Sequence, residues 1–564
     1  MLASSRGGFR HACGESVMGG GTPGTQPDAR LIFILALPLA AFLLRLGGAP
    51  LFDVDEGAFS EATREMFERG DFSSTYLNGA HRFDKPILIY WLQAASYLCF
   101  GGTLDAEWVF RLPSALAAMA WCYAAWHFAR HRFGPETALA ALAVMATALG
   151  PFVIGRAATA DALLNLFLAL ALFDAWRYLE SKRRAPLLRC YAWIGLGALT
   201  KGPIALIVPG AVTFLYCASR KEWRIWLHAL GDARGWLIFA ALTAPWYGTA
   251  LAVHGRNFID GFILKHNVER FTGTLEGHAG SLFYYIVFVP LLLLPWTGPF
   301  VASLRQMKSD FTASGLRRYL WIWAGFVVVF FSLSGTKLPH YALYGTTPLF
   351  LLIAVHRDEL RRPLAHLAAP GIFLALLICL PVICTLLAVS GAGPVFLAAI
   401  GADNVSGNTY YLAQFTEAAS RVDVAYYLIC GVALLLWLAA VFMPRGALWN
   451  RLLAAAVLQT LVLALAFTPW LGAVLQGPVK EAALFVRERP EPVVAWKLTL
   501  PSISIYRDAV TPSRPPEAGE LAITRIDSVP EQGFEILFRR GGIAVVRNSA
   551  AVSEPDGAAS EAAP

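Results

Sequence analysis

Charge is what this sequence has least of: Asp, Glu, Lys and Arg make up 15% of 564 residues, against about 25% in an ordinary soluble domain. With a mean hydropathy of +0.53 and 57% hydrophobic residues, that scarcity excludes a soluble enzyme. Disorder is excluded as well, because 13% aromatic residues and long apolar runs oppose its low-hydrophobicity, high-charge signature. No C-x-x-C pair occurs among the 8 cysteines, and most of them (Cys99, Cys122, Cys190, Cys217, Cys379, Cys430) lie inside apolar segments. Neither a disulfide framework nor a zinc ribbon is indicated. Also missing are a G-x-x-x-x-G-K-[ST] loop, a G-x-G-x-x-G turn opening a βαβ unit, and H-E-x-x-H. The net charge of +7 does not point to nucleic acid, because the basic residues are spread through short loops rather than gathered on one face.

What is present is a series of apolar stretches near the length of about 20 residues that crosses a bilayer. They fall at roughly 30–47, 109–130, 136–155, 161–179, 188–200, 203–218, 235–253, 281–303, 319–334, 341–355, 369–390, 423–443 and 450–474, thirteen in all. Residues 1–29 read as a disordered cytoplasmic leader in which Met18 is an alternative start, and 30–476 as the transmembrane domain. Residues 477–548 read as a small α/β domain, with a helix (VKEAALFVRER) and strand-like runs (PVVAWKL, ISIYR, LAITRI, FEILFRR, GIAVVR), and 549–564 as a disordered tail.

Orientation turns on the segment 86–100, PILIYWLQAASYLCF. If it does not cross, the loops after every second span share one side, and they include SKRRAPLLR, SRKEWR and HRDELRRPLAH. Lys/Arg-rich loops mark the cytoplasm, so the expectation is a re-entrant or in-plane helix at 86–100, with Pro86 in its first turn. Just before it, GAFSEATREMFERG sets Ala58, Phe59, Ala62, Met66 and Phe67 on one stripe, with Glu61, Arg64, Glu65 and Glu68 opposite. That pattern predicts an amphipathic helix on the membrane surface. The first external loop, 48–108, thus holds two juxtamembrane helices, and the C-terminal domain shares its side.

Ionisable groups at membrane level are costly, about 2.5–3.5 kcal/mol at a helix centre, so clusters of them suggest function. On the outer side stand Asp53, Asp55 and Glu56; His81, Asp84 and Lys85; Arg156 and Asp161; Lys201; HGRNFIDGFILKHNVERFTGTLEGH; and Lys337, His340 and Tyr341. Each has a plain alternative. The first three carboxylates suit a helix N-terminus, although a cap needs only one. Lys85 before Pro86 is placed either to snorkel or to hold a phosphate beside a helix N-terminus. Asp161 can cap its helix; His266 and Arg270, four apart, share a face of a loop helix. Lys201 in TKGP and Lys337 in GTKLPHY suit an anionic ligand or a neighbouring carboxylate. An enzyme acting outside the cytoplasm has no nucleotide-sugar or ATP pool, which points to a donor already carried across on a polyprenyl phosphate.

The run DVDEGAFSEATREMFERGDFSSTYLNGAHRFDKPILIYWLQAASYLCFG resembles the first periplasmic loop of the bacterial aminoarabinose (4-amino-4-deoxy-L-arabinose) lipid A transferases and their dolichyl-phosphate-mannose protein mannosyltransferase relatives, which are GT-C membrane glycosyltransferases. RAATADALLNLFLALAL, GALTKGPIALIVPG, HNVERF and SGTKLPHYALYGTTPLFLLIA extend the match in order, strongly over about residues 30–360. The resemblance implies an inverting transfer of a sugar from undecaprenyl phosphate to lipid A at the periplasmic face of the inner membrane. Asp55 and Asp161 then match the catalytic acids, and Lys85 and Arg270 the cations for the donor phosphate, with Lys201 and Lys337 as further phosphate candidates. Asp53, Glu56, Arg156, His340 and Tyr341 complete the candidates. The family assigns a divalent metal to a Glu before the Lys-Pro pair and to the histidine matching His266; here that acid is Asp84, one methylene shorter, and nothing in the sequence requires a metal. Lipid A is the leading acceptor, the same chemistry on another glycolipid, a polysaccharide or a protein fits nearly as well, and a transporter of lipid-linked sugars is the competing class. A transporter predicts inverted repeats, and the sequence carries none.

Overall fold

The computed structural model describes residues 29–102, 106–274, 280–313, 315–361, 363–399, 408–442 and 448–549. The expected leader, apart from residue 29, and the expected tail, apart from residue 549, lie outside the described residues.

The described chain is predominantly helical, and helix covers most of each apolar stretch. Among the described residues, six helices are long and apolar enough to cross a membrane: Asp161–Ser181, Ala233–His254, Gly315–Leu333, Ala365–Ser390, Val424–Phe442 and Leu448–Leu475. The pair Pro135–Thr147 and Leu149–Gly155, bent by 61°, makes a seventh if counted as one span. The stretch at 281–303 is broken into Tyr284–Leu292 and Thr297–Leu304 around Pro295, which has no backbone N–H to continue a helix. The stretch at 341–355 enters through a tight 3₁₀ turn, Pro339–Gly345, before Thr346–Val355.

The bundle interior is packed with aromatics, and several of them have satisfied polar ends. The indole N–H groups of the fully buried Trp121, Trp296 and Trp323 donate to Thr347 Oγ1, Thr147 Oγ1 and the Tyr344 carbonyl at 2.9, 2.9 and 2.7 Å. The outward faces are as apolar as the interior: Ile372, Leu376, Leu435 and Phe442 are 60–75% exposed. So large an apolar surface is stable only against lipid, and the chain is a multi-pass membrane protein.

The first loop departs from its expected form in two respects. Helix Leu88–Cys99 has 12 residues, about 18 Å at 1.5 Å per residue and too short to span; Pro86, expected in its first turn, precedes it by two residues. Helix Asp55–Arg69, expected to lie on the membrane with a wet polar face, is buried on both faces. Phe59, Ala62 and Met66 pack with Ile87, Ile89 and Tyr90. On the polar side Glu61 pairs with Arg64 at 2.8 Å. A two-residue hairpin, β1 (Tyr76–Leu77) with β2 (Ala80–His81), follows the helix.

The cover over this loop comes from the C-terminal segment. Strands β3 (Val493–Ala495), β4 (Leu521–Arg525), β5 (Phe534–Arg540) and β6 (Ile543–Asn548) form a sheet in the order β3-β4-β6-β5, with β3 parallel to β4 and the other pairs antiparallel. Helix Gly477–Arg487 packs Val479, Ala482 and Val486 on Leu521, Ile523 and Val545, in one core with Leu51 and Phe110 of the first-loop region. The run ISIYR, expected as a strand, is instead the helix Ser502–Arg507. Asp53 accepts the Ser502 N–H at 3.0 Å and also the Ser502 hydroxyl, so a carboxylate from 449 residues away holds a helix N-terminus that local β propensity does not favour.

Candidate active site

Two ion-paired carboxylates stand at one cavity: Asp84 lines it, and Asp161 lies behind the lining residues Lys201 and Tyr344. The first is Asp84, in the segment between β2 and helix Leu88–Cys99. Its Oδ1 lies 2.5 Å from Lys85 Nζ, 3.1 Å from His266 Nδ1 and 3.8 Å from Arg270 Nη1, and its Oδ2 accepts from Arg82 Nη2 at 3.0 Å. Burial alone would raise the Asp84 carboxyl, but Lys85, His266 and Arg82 outweigh it and hold it well below the usual carboxylate range. Lys85 moves the other way: burial, reinforced by the neighbouring charges of Lys201 and Arg270, lowers its amine despite the contact with Asp84.

The second carboxylate is Asp161, the first residue of helix Asp161–Ser181. Its Oδ1 accepts from Lys201 Nζ at 2.5 Å and from the Tyr344 hydroxyl at 2.8 Å, with His340 Nε2 at 3.8 Å. Lys201 ends helix Arg184–Lys201, donates also to the Tyr344 oxygen at 2.8 Å, and lies 5.4 and 5.5 Å from the ring centres of Tyr341 and Tyr344. It thus neutralises a carboxylate and lines the cavity at the same time.

The cavity itself holds about 460 Å³. Asp84, Lys85, Lys201, His266 and Arg270 line its polar end, while Ile204, Ile207, Phe262, Phe271 and Phe330 line the rest. His266 and Arg270 reach it from a wide π-helical run, Ile259–Glu269, and the helical turn after it. Bonds from the Gly335 and Thr336 N–H groups to the Phe271 and Arg270 carbonyls, at 2.7 and 3.2 Å, fix that turn.

Asp55, the first residue of helix Asp55–Arg69, is exposed and is not among the residues lining the cavity. It is close enough to influence the charges of Arg82 and His340, which places it beside both clusters. Glu56 turns away into a buried structural role. It pairs with Arg111 at 2.7 and 2.8 Å and accepts the Phe52 and Ala158 N–H groups at 2.8 and 2.7 Å, tying the first loop to the turn before Asp161.

Four further candidates sort out by geometry. Asp53 is engaged with Ser502. Arg156 donates to the Ala41 and Arg45 carbonyls at 3.1 and 3.0 Å, anchoring the first helix, and does not line the cavity. Lys337, expected at a phosphate, donates to the Ser334 carbonyl at 2.6 Å and is likewise not a lining residue. His81 stacks on Phe83 and packs against Tyr76 at a tilt and against His254 edge-on. Two participants escaped the sequence reading. Arg82 sits two residues before Asp84 in a non-helical segment, and Tyr344 lies four residues beyond His340, so nearness along the chain was the one signal that could have found them.

For a metal, Asp84 and His266 offer one oxygen and one nitrogen. Among the described residues no third His, Cys, Asp or Glu joins them to hold an ion. The Asp84 oxygens already face Lys85, Arg82 and Arg270. A dication would displace or confront three fixed positive charges, so this donor set does not fit a divalent metal.

Comparisons with known proteins agree with this architecture. A sequence profile for dolichyl-phosphate-mannose-protein mannosyltransferase matches residues 84–248. The undecaprenyl phosphate-alpha-4-amino-4-deoxy-L-arabinose arabinosyl transferase of Pectobacterium atrosepticum is 29% identical over 330 residues, 57% of this chain and 58% of that one. An uncharacterized protein of Aquifex aeolicus is 30% identical over 330 residues, 58% of this chain and 73% of that one. The chain therefore spans under two thirds of the curated arabinosyl transferase it matches. The crystal structure of ArnT from Cupriavidus metallidurans bound to undecaprenyl phosphate superposes with a TM-score of 0.70 at 23% identity, covering 93% of this chain and 99% of that one, which establishes a shared fold. In sequence the chain is similar, over part of its length, to the aminoarabinose arabinosyl transferases and to the dolichyl-phosphate-mannose-protein mannosyltransferase profile, and it shares the fold of ArnT.

Proposed function

We propose that this chain is an inverting glycosyltransferase that moves a sugar, with 4-amino-4-deoxy-L-arabinose as the leading candidate, from undecaprenyl phosphate to lipid A at the periplasmic face of a bacterial inner membrane. The observation that carries the reading is the cavity: cations at one end and an apolar wall along the rest suit an anionic phosphate head joined to a long hydrocarbon tail. The related arabinosyl transferases, named for such a donor, support the choice. A thirteen-span topology with Lys/Arg-rich loops in the cytoplasm puts the cavity, Asp55 and the C-terminal sheet on the opposite side.

In this reading Lys85 and Arg270 receive the donor phosphate, with Lys201 and His266 beside them. Asp84 holds those cations together when the site is empty, and Asp161 and Tyr344 fix the Lys201 amine. An acceptor oxygen attacks the anomeric carbon from the face opposite the phosphate. The bond from that carbon to the phosphate oxygen breaks with its electron pair on the phosphate, and the charge that develops there is met by preorganised cations in a partly dehydrated site. Asp55 takes the proton if the acceptor is a hydroxyl; a phosphate acceptor needs no base. The chemistry needs no metal.

The test is a transfer assay with purified protein, undecaprenyl-phosphate sugar and lipid A. Release of undecaprenyl phosphate coupled to a sugar-sized mass gain on lipid A is the expected outcome. Release coupled to gain on a different acceptor would move the assignment within the same chemistry, and movement of intact donor across vesicles without cleavage would overturn it.

A further inference from the structure

A second cavity, of about 710 Å³, opens between helices Thr297–Leu304 and Pro363–Ser390. It lies beyond the far end of helix Thr346–Val355, about 15 Å of helix away from Tyr344, on the side that carries the Lys/Arg-rich loops. We propose that it binds an anionic glycerophospholipid of that leaflet, through its phosphodiester headgroup and one acyl chain.

The charges around His356, which lines this cavity, are matched internally. His356 stands between Asp310 at 2.9 Å and Glu359 at 3.1 Å, and Asp310 also faces Arg317 at 3.1 Å. At its mouth Arg305 and Arg361 are exposed, and neither has an ion-pair partner among the described residues. His366 provides an independent indication. It is 9% exposed, lines the same cavity, and its Nδ1 has no hydrogen-bond partner among the described residues. That nitrogen lies against Gly298, where an added Cβ would approach it to 2.9 Å, so the glycine leaves room for the imidazole at the cavity wall.

The remaining wall is apolar, with Val301, Ala365, Ala369 and Ile372. From Ile372 the outer face of helix Pro363–Ser390 continues through Leu376 and Ile383, exposed by 64, 60 and 46%, a stripe at helical spacing that runs toward the membrane interior. Unpaired cations above an apolar stripe, at the level of the interface, match a headgroup and its chain, and basic pockets between membrane helices bind anionic lipids in this way. A soluble anion would have no use for the stripe.

The experiment measures phospholipid retained by the purified full-length chain in native mass spectrometry from micelles doped with phosphatidylglycerol or phosphatidylcholine. The parent should retain phosphatidylglycerol preferentially. The double variant Arg305→Gln, Arg361→Gln should lose that preference by about 30-fold, the effect expected of two interfacial arginines, with phosphatidylcholine retention and the unfolding temperature in lipid-free detergent unchanged. Equal retention of phosphatidylglycerol by parent and double variant would overturn the proposal. So would displacement of the lipid by millimolar inorganic phosphate, which would make this a site for a free anion.

Discussion

Replacing Asp84 by Asn isolates what that carboxylate does. It is mostly buried and lies within 4 Å of Lys85, Arg82, His266 and Arg270. Asn keeps the shape and one acceptor oxygen but removes the charge, leaving three permanent cations facing one another in a partly dehydrated cavity. Stranding buried charge by removing its partner costs about 3–5 kcal/mol; the cavity admits some water, so a loss of about 3 kcal/mol is expected for the empty protein. A phosphate-bearing lipid should restore more in the variant than in the parent, because it replaces the missing negative charge. For scale, ligand at 100 times its dissociation constant stabilises the bound form by about 2.7 kcal/mol. The assay is thermal unfolding of parent and Asp84→Asn in one detergent, each with and without undecaprenyl phosphate. The variant should unfold at lower temperature when empty and show the larger upward shift on adding the lipid. An empty variant as stable as the parent would refute the reasoning. So would stabilisation of the parent, but not the variant, by Mn²⁺ or Mg²⁺, because Asp84 would then be a metal ligand.

Asp55→Asn should lower kcat by at least about 100-fold, the scale of a general base, while undecaprenyl phosphate still shifts the unfolding temperature; full turnover would remove Asp55 from the mechanism. Lys85→Ala should act mainly on the donor, raising its KM by roughly 10- to 100-fold for the loss of one charge-assisted contact, which steady-state kinetics at saturating acceptor would read. Burial lifts the Asp53 carboxyl to about 7, so the folded chain holds that proton more tightly than the unfolded one. Its contribution to stability is therefore greatest below pH 4 and falls as the pH rises through 7, by on the order of 2 kcal/mol once residual solvent access is allowed for. Unfolding temperatures from pH 5 to 8 should decline less in Asp53→Asn than in the parent. Finally, Gly57→Ala would put a Cβ 2.1 Å from Asp53 Oδ1 and 2.7 Å from the Ser502 nitrogen, and overpacking against backbone should destabilise the chain by about 1–3 kcal/mol, visible as easier proteolysis of the C-terminal domain.

By itself the sequence determined the membrane class, the places where helices form and the neighbourhood of the site. Those properties are local: apolar runs demand lipid, and motifs such as HRFDKP, TKGP and KLPHY carry their charges within a few residues of one another. Asp84, Lys85, Lys201, His266, Arg270 and Tyr341 could be named on that basis, and the cavity brings them together. The tertiary structure decided how each charge is spent. Whether Lys201 faces Asp161, Lys337 a carbonyl or Glu56 an arginine depends on residues 3 to 55 positions away, and no pattern along the chain records such pairings. The same holds for ISIYR, where Asp53 holds the start of a helix, and for helix Asp55–Arg69, whose polar face is covered by a segment more than 400 residues later. Burial and ion pairing depend on distance in space, and along this chain the residues that set them are far apart.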